Sequence, residues 1–206
     1  MSRNRYSSRS VNRVGLVQYA LEHSTTRIQD FRSIVEFGCS AGKTLEAFAL
    51  NKAVKCVGYD ISPAGDSKDN LQFREIDLNQ ASTSKIFDES GRSLFLALDV
   101  IEHLNDPFKI VREFSIHAHS GSMFVLSCPN FSSVRLLLAW LNGVLPKTEF
   151  GFFDATHLHW LSPKNFHGLD VLERQLYVFS GKPLLRLMQK IWPTRLCSQF
   201  VIVLRK

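Results

Sequence analysis

Short, mostly apolar runs recur along this chain, each closed by a glycine, a proline or an acidic residue. Ser33–Phe37, Lys55–Asp60, Ser93–Asp99 and Ser122–Ser127 are of this kind. They lack the in–out alternation of a half-exposed sheet and so predict strands buried on both faces. Asn70–Ile76 alternates only roughly, through Leu71, Phe73 and Ile76, and predicts a weaker strand. Between these runs the apolar spacing becomes that of a helix. Val14–His23, Lys43–Ala53 and Pro107–Ala118 read as helices that bury one face. Strands alternating with helices predict an α/β protein whose parallel sheet is covered by helices on both faces. No internal repeat or low-complexity linker interrupts the pattern, so residues 1–206 read as one domain, with 1–12 a mobile basic arm.

Two later stretches are less regular. Phe131–Val144 carries Leu136, Leu137, Leu138, Trp140 and Leu141 and is followed by Leu145, so it is apolar nearly all round. Ser132 or Ser133 offers a cap, and Gly143 and Pro146 a stop. The preferred reading is a helix buried against the sheet or a dimer partner. The functional alternative makes 131–145 a lid over a lipid-like acceptor or a peripheral contact with a membrane surface. Pro183–Trp192 sets Leu184, Leu187 and Ile191 against Arg186 and Lys190, an amphipathic helix that suits either.

Composition narrows the classes. Apolar residues make up 45% and charged residues 21%, ordinary for a globular protein. The net charge of +6 raises the question of a nucleic acid or an anionic surface. Much of the excess sits at Arg3, Arg5, Arg9, Arg13, Arg205 and Lys206, which favours a basic tail over a nucleic-acid arm, and no specific nucleic-acid partner is expected. Cys39, Cys56, Cys128 and Cys197 are scattered without a CxxC pair, which argues against a zinc ribbon or a disulfide framework and for reduced thiols in the cytoplasm. The basic, Ser-rich start has no apolar core of a secretory signal. The run Leu136–Leu141 is far too short to span a bilayer.

Ligands of an open parallel sheet bind outside the carboxyl ends of its strands. Candidates stand at four such ends: Gly38–Gly42, Asp60, Asp77 and Asp99. The segment Gly38-Cys39-Ser40-Ala41-Gly42 reads as a turn between strand and helix. Its glycines let the backbone approach a ligand, and the helix start aims N–H groups into the cleft. A plain connecting turn has the same look. Asp60 ends the next strand and can accept from both hydroxyls of a ribose, whereas a solvated strand-end carboxylate is the bland reading. Loop and carboxylate together point to an adenosine-containing ligand. The spacing is G-x-x-x-G rather than the dinucleotide G-x-G-x-x-G, with Leu45 and Glu46 where a third glycine is needed. Glu36 adds negative charge beside the turn, which disfavours a pyrophosphate and favours a cationic ligand.

The stretches VEFGCSAG (35–42), VGYDIS (57–62), REIDLN (74–79), ALDVIEHLNDP (97–107), VLSCPN (125–130) and FGFFDATHLHWLSPKNF (150–166) carry a family resemblance. In order and spacing they resemble the class I S-adenosylmethionine-dependent methyltransferases. Within these they resemble the branch of the ubiquinone-biosynthesis O-methyltransferases and MetW proteins. The resemblance covers about residues 33–206. It implies a Rossmann-like seven-stranded, mostly parallel sheet, closed by an antiparallel C-terminal strand at Phe200–Leu204. It implies S-adenosyl-L-methionine as cofactor, with Glu36, Gly38 and Gly42 at its methionine end and Cys39 and Ser40 in the same loop. Asp60 would hold the ribose with Ile61 on the adenine, Asp77 would accept from the adenine amine with Leu78 beside the ring, and Asp99 would close the floor. The chain departs from the family at Ser40, where a glycine is usual, and after Phe166, where a longer helix is usual.

Methyl transfer to a hydroxyl needs alignment, exclusion of water and a base for the proton. His103 lies just past the strand that ends at Asp99 and is a candidate base; packing at a helix start is the bland reading. His157, in Thr156-His157-Leu158-His159, is a competing candidate that the resemblance favours for orienting substrate. A metal site from Asp154, His157 and His159 is a sharper idea with no supporting cysteine or HExxH spacing, so no metal is expected. The resulting expectation is O-methylation of a small molecule, glycan or lipid-linked intermediate by a cytoplasmic monomer or homodimer. The rivals are a MetW-like non-catalytic partner protein and an NAD-dependent oxidoreductase.

Overall fold

The computed structural model describes residues 12–50, 54–143, 154–178 and 191–206. Helix α1 (Arg13–His23) is capped by Asn12, whose side chain accepts the Gly15 N–H at 3.1 Å. Then follow β1 (Ser33–Phe37), α2 (Lys43–Ala49), β2 (Lys55–Asp60), β3 (Leu71–Glu75), α3 (Ser84–Glu89) and β4 (Ser93–Leu98). The chain continues through α4 (Lys109–His117), β5 (Met123–Pro129), α5 (Val134–Leu141), β6 (Leu172–Val178), α6 (Pro193–Leu196) and β7 (Gln199–Arg205). The seven strands form one sheet in the order β3-β2-β1-β4-β5-β7-β6. Every pairing from β3 to β5 is parallel, and β7 runs antiparallel to both its neighbours. This is the expected Rossmann-like sheet with its antiparallel closing strand. The strand order reverses between β1 and β4, which opens a crevice at their carboxyl ends.

Strand side chains alternate between faces, and the core divides accordingly. Val35, Phe37, Val57, Phe95, Phe124, Phe200 and Ile202 pack with Phe87 of α3 and Phe114 of α4 on one face. Ile34, Cys56, Leu94, Leu96, Val125 and Val201 pack with Leu16, Val17 and Ala20 of α1 and Leu45 and Phe48 of α2 on the other. Glu36 falls on this second face, where it is fully buried. The first face is an aromatic layer: the Phe87 ring lies 4.7 Å from Phe95, 5.6 Å from Phe114 and 5.7 Å from Phe37.

Some expectations change. Helix α3 was not expected, because Phe87 is its single buried residue and the rest of SKIFDE is polar or half-buried. Helix α5 is not buried all round: Leu136 is buried, whereas Leu137, Leu138 and Leu141 are 55%, 52% and 73% exposed. Its serines do not cap it as expected. The Ser132 hydroxyl donates instead to Asn130 Oδ1 at 2.8 Å and to the Thr194 carbonyl at 3.1 Å. The short helical turn Pro163–Phe166 ends at Phe166, and no helix follows it: Gly168 at φ 84° leads directly towards β6. The expected arm at 1–11, the end of the helix at 51–53, Val144 and Leu145, the start of the 150–166 stretch and most of the Pro183–Trp192 helix lie outside the described residues. Among the described residues no helix is long and apolar enough to cross a membrane.

Phe87→Ala empties the middle of the aromatic layer and is expected to cost about 3–5 kcal/mol. Urea unfolding checks this; a loss below about 1 kcal/mol would mean that α3 does not pack as described.

Candidate active site

The chain leaves β1 through a tight loop. Gly38, Ser40 and Gly42 all have positive φ, at 70°, 48° and 73°. The Gly38 N–H donates to the Tyr59 carbonyl at 2.7 Å and the Gly42 N–H to the Cys39 carbonyl at 2.8 Å. A Cβ on Gly38 would stand 2.4 Å from Val100, and one on Gly42 would stand 2.2 Å from the Phe73 ring. Only glycine fits either place. Ser40, where the family keeps a glycine, holds the same left-handed backbone with a side chain. Its N–H donates to Asp60 Oδ2 at 2.8 Å, and Asp60 Oδ1 accepts the Ser62 N–H at 3.0 Å. Asp60 thus clamps the loop with one bond per oxygen, and each oxygen keeps a lone pair for a further donor. Ile61 beside it is 66% exposed.

Glu36 lies on β1 just before this loop. Burial pushes the Glu36 carboxyl up to about 8, and the Arg13 guanidinium pulls the other way by less. The charge of Arg13 therefore reaches Glu36, although sequence reasoning counted it with the basic end. The Cys39 thiol, also buried, is pushed up to about 12, first by burial and then by Glu36 and Asp60. It is a packing residue and not a nucleophile.

Asp99 follows β4 at φ 55°. Its Oδ1 accepts from the Ser127 hydroxyl at 2.9 Å and from Gln199 Nε2 at 2.6 Å. Gln199 was missed; its signal was an amide heading an otherwise apolar strand. Asp77 is turned into its own loop, with Oδ1 on the Asn79 N–H at 2.9 Å and Oδ2 on Gln80 Nε2 at 2.8 Å. Asn79 then accepts the Asn105 N–H at 2.8 Å, which ties this loop to the segment after β4. Leu78 is half-buried against the aromatic layer. Asp77 and Leu78 therefore form a wall built on the loop after β3, whose Ile76 N–H donates to the Asp60 carbonyl at 2.8 Å.

Both candidate histidines meet at the other side of Asp99. Ile101–His103 is one short helical turn, and Glu102 within it is fully buried. The Glu102 carbonyl accepts the N–H groups of Leu158 at 2.9 Å and His159 at 3.1 Å, which fastens the 154–160 segment against the turn. His157 Nε2 lies 4.0 Å from Glu102 Oε1, and the two imidazole rings of His103 and His157 are 4.7 Å apart. His103 Nδ1 lies 3.0 Å from the Thr156 hydroxyl and 3.2 Å from the Thr156 carbonyl. Asp154 Oδ1 accepts the Thr156 hydroxyl at 2.7 Å, and His159 Nε2 lies 3.1 Å from the Asn105 carbonyl. Asp154, His157 and His159 therefore do not form a group; His157 joins His103 and Glu102 instead. Burial, and then the charge of Asp99, pushes the Glu102 carboxyl up to about 8. A cavity of about 290 Å³ bordered by Arg32, Lys55 and Arg74 reaches the amino ends of β1 and β2, the wrong end of the sheet for this chemistry.

A doubly wound sheet with this glycine loop and acidic strand ends at its reversal point is the Rossmann-like fold of class I methyltransferases. The sequence matches a family model described as a methyltransferase domain over residues 9–173. The chain belongs to that family. A search of curated proteins finds no match. A SAM-dependent methyltransferase from Archaeoglobus fulgidus is 16% identical with a TM-score of 0.64, over 94% of each chain. The small RNA methyltransferase HEN1 is 18% identical with a TM-score of 0.61, over 93% of this chain but 25% of its own. The plantazolicin methyltransferase BpumL, solved in complex with SAH, is 17% identical with a TM-score of 0.56, over 94% of this chain and 81% of its own. At these identities the likeness establishes the fold.

Two predictions follow from this geometry. Ser40→Gly relieves the left-handed strain and should be neutral to stabilising by up to about 1 kcal/mol, whereas Gly42→Ala should destabilise by more than about 1 kcal/mol. Thermal unfolding of both variants tests the pair, and equal effects would contradict the loop. The second concerns pH. Glu36 rises from 4.5 in the unfolded chain to about 8 when folded. The folded state therefore holds the extra proton, and stability from this group is complete below 4.5 and falls as pH rises through about 8. Glu36→Gln should flatten the decline in urea midpoint across that window, and an unchanged decline would assign it to other groups.

Proposed function

We propose that the chain, an S-adenosylmethionine-dependent methyltransferase, places the methyl group on an oxygen of a small molecule, glycan or lipid-linked acceptor. The observation that carries the oxygen reading is the Glu102–His103–His157 group, which stands beside Asp99 at the crevice where an acceptor proton must leave. The branch resemblance to O-methyltransferases supports it.

The residues present fit the cofactor. A fully buried carboxyl at Glu36 suits a cationic amine, and the Arg13 guanidinium, whose charge reaches that carboxyl, suits the amino acid's carboxylate. Asp60 keeps acceptor capacity for a ribose diol, and Gly38 and Gly42 allow the tight left-handed loop against Val100 and Phe73 that sets the backbone beside it. The cofactor supplies a methyl group on a positively charged sulfur. The chain aligns an acceptor against it, excludes water and removes a proton. The imidazoles of His103 and His157 are the groups of near-neutral reference pKa placed for that last task. Exposed Leu137, Leu138 and Leu141 on α5 support an acceptor with an apolar portion or a peripheral membrane contact.

Purified protein is expected to bind S-adenosylhomocysteine and to gain melting temperature with it. Asp60→Ala should weaken that binding by about 1.5–3 kcal/mol, roughly ten- to a hundred-fold. Calorimetry that shows tight NAD binding and none of S-adenosylhomocysteine would refute the reading. Binding without turnover on a broad panel of hydroxylated acceptors would favour a non-catalytic, MetW-like role.

A further inference from the structure

We propose that the cavity at the amino ends of β1 and β2 is a second binding site, which takes a small phosphate monoester with an apolar body. The cavity holds about 290 Å³. That is the room of roughly ten waters at about 30 Å³ each, enough for one ring and its phosphate. The cofactor crevice lies at the other end of the sheet: β2 puts about 17 Å of strand between Lys55 and Asp60.

The sheet makes the floor. Lys55, Val57 and Tyr59 share one face of β2, and β1 sets Val35 beside Val57. This floor is open because α3 is short. Its one buried side chain, Phe87, goes into the aromatic layer against Phe37 of β1 and Phe95 of β4. From this side only Ile86, Glu89 and the following Ser90 border the cavity.

Cations from three parts of the chain meet at the rim. Arg32 precedes β1, Lys55 opens β2, and Arg74 stands on β3 opposite Tyr59. All three are exposed, and none has an ion-pair partner among the described residues. Arg74 is nonetheless aimed. Its Nη1 donates to the Tyr59 hydroxyl at 3.3 Å and its Nη2 to Gln72 Oε1 at 3.4 Å. Both acceptors are neutral, so the guanidinium keeps its full charge and further N–H donors.

Charge and surface together select the ligand. Glu89 is the one carboxylate of the lining, so the three cations leave an excess of two positive charges. A phosphate monoester carries nearly the opposite charge at neutral pH. Like charges over a low-dielectric wall focus their field on such an anion, and guanidinium groups match its oxygens. Val35, Val57 and Ile86 offer apolar surface to a ring, which inorganic phosphate cannot use. The site requires neither cofactor nor acceptor, so it does not depend on the O-methyltransferase reading.

The test is calorimetric titration of the purified protein with phenyl phosphate at low salt and about pH 8, where the ester is a dianion. One phenyl phosphate per chain is expected, with the same affinity whether or not S-adenosylhomocysteine is present. Arg32→Gln, Lys55→Gln and Arg74→Gln should each weaken it by about three- to tenfold, and salt should weaken it further. Glu89→Gln should tighten it by about two- to fivefold, a change of opposite sign that loss of local structure would not produce. Arg92→Gln should leave it unchanged, because that side chain lies against Gly121 outside the cavity. Inorganic phosphate and benzoate, which lack the ring or the second charge, should each bind roughly tenfold more weakly. No saturable binding, indifference to all three cation substitutions, or displacement by S-adenosylhomocysteine overturns the site. Inorganic phosphate or benzoate binding as tightly as phenyl phosphate overturns the ligand class.

Discussion

Two carboxyl groups are taken out of water at the carboxyl end of this sheet, and much of the site is arranged around them. Glu36 ends on the helix-covered face below the first loop, and Glu102 lies beside the last residues of β4. Burial raises both to about 8. Neither placement favours folding, since a buried ionisable group weakens the folded state wherever its solution form would be charged. The aromatic layer and the apolar face beneath α1 and α2 supply the stability that tolerates them.

The crevice is where such a cost serves chemistry. The strand order reverses between β1 and β4, so the loops after these strands part there. The loops are nevertheless tied at specific points. Gly38 sits against Val100, Ser40 is tied to Asp60, and Asp99 is fixed by Ser127 and Gln199. Positive φ at Gly38, Ser40, Gly42 and Asp99 marks both sides of the opening. Strain of this kind persists only where the surrounding packing over-determines it, and it gathers at functional sites.

Opposite the cofactor loop, the 154–160 segment closes the site without regular structure of its own. The Glu102 carbonyl anchors it by taking two N–H groups, and Thr156 meets His103. That bond pair brings His157 beside His103, with the two rings 4.7 Å apart. His159, two residues on, is directed to Asn105 instead.

The amino-acid sequence by itself determined the central strands β1, β2, β4 and β5, because their continuous apolar runs need burial on both faces, and it determined the glycine loop and the acidic residues at the strand ends. β1 and β2 begin and end where the apolar runs do. It did not reveal α3, whose one buried ring is too little to set a helical period. Nor did it reveal Arg13 or Gln199, or the pairing of His157 with His103 and Glu102. Those depend on contacts between residues far apart in the chain, such as Gln199 with Asp99, and no local periodicity encodes them. Local patterns record which backbone conformation buries apolar surface; which polar side chains then meet is decided by sheet order and loop closure, and only the tertiary structure carries that.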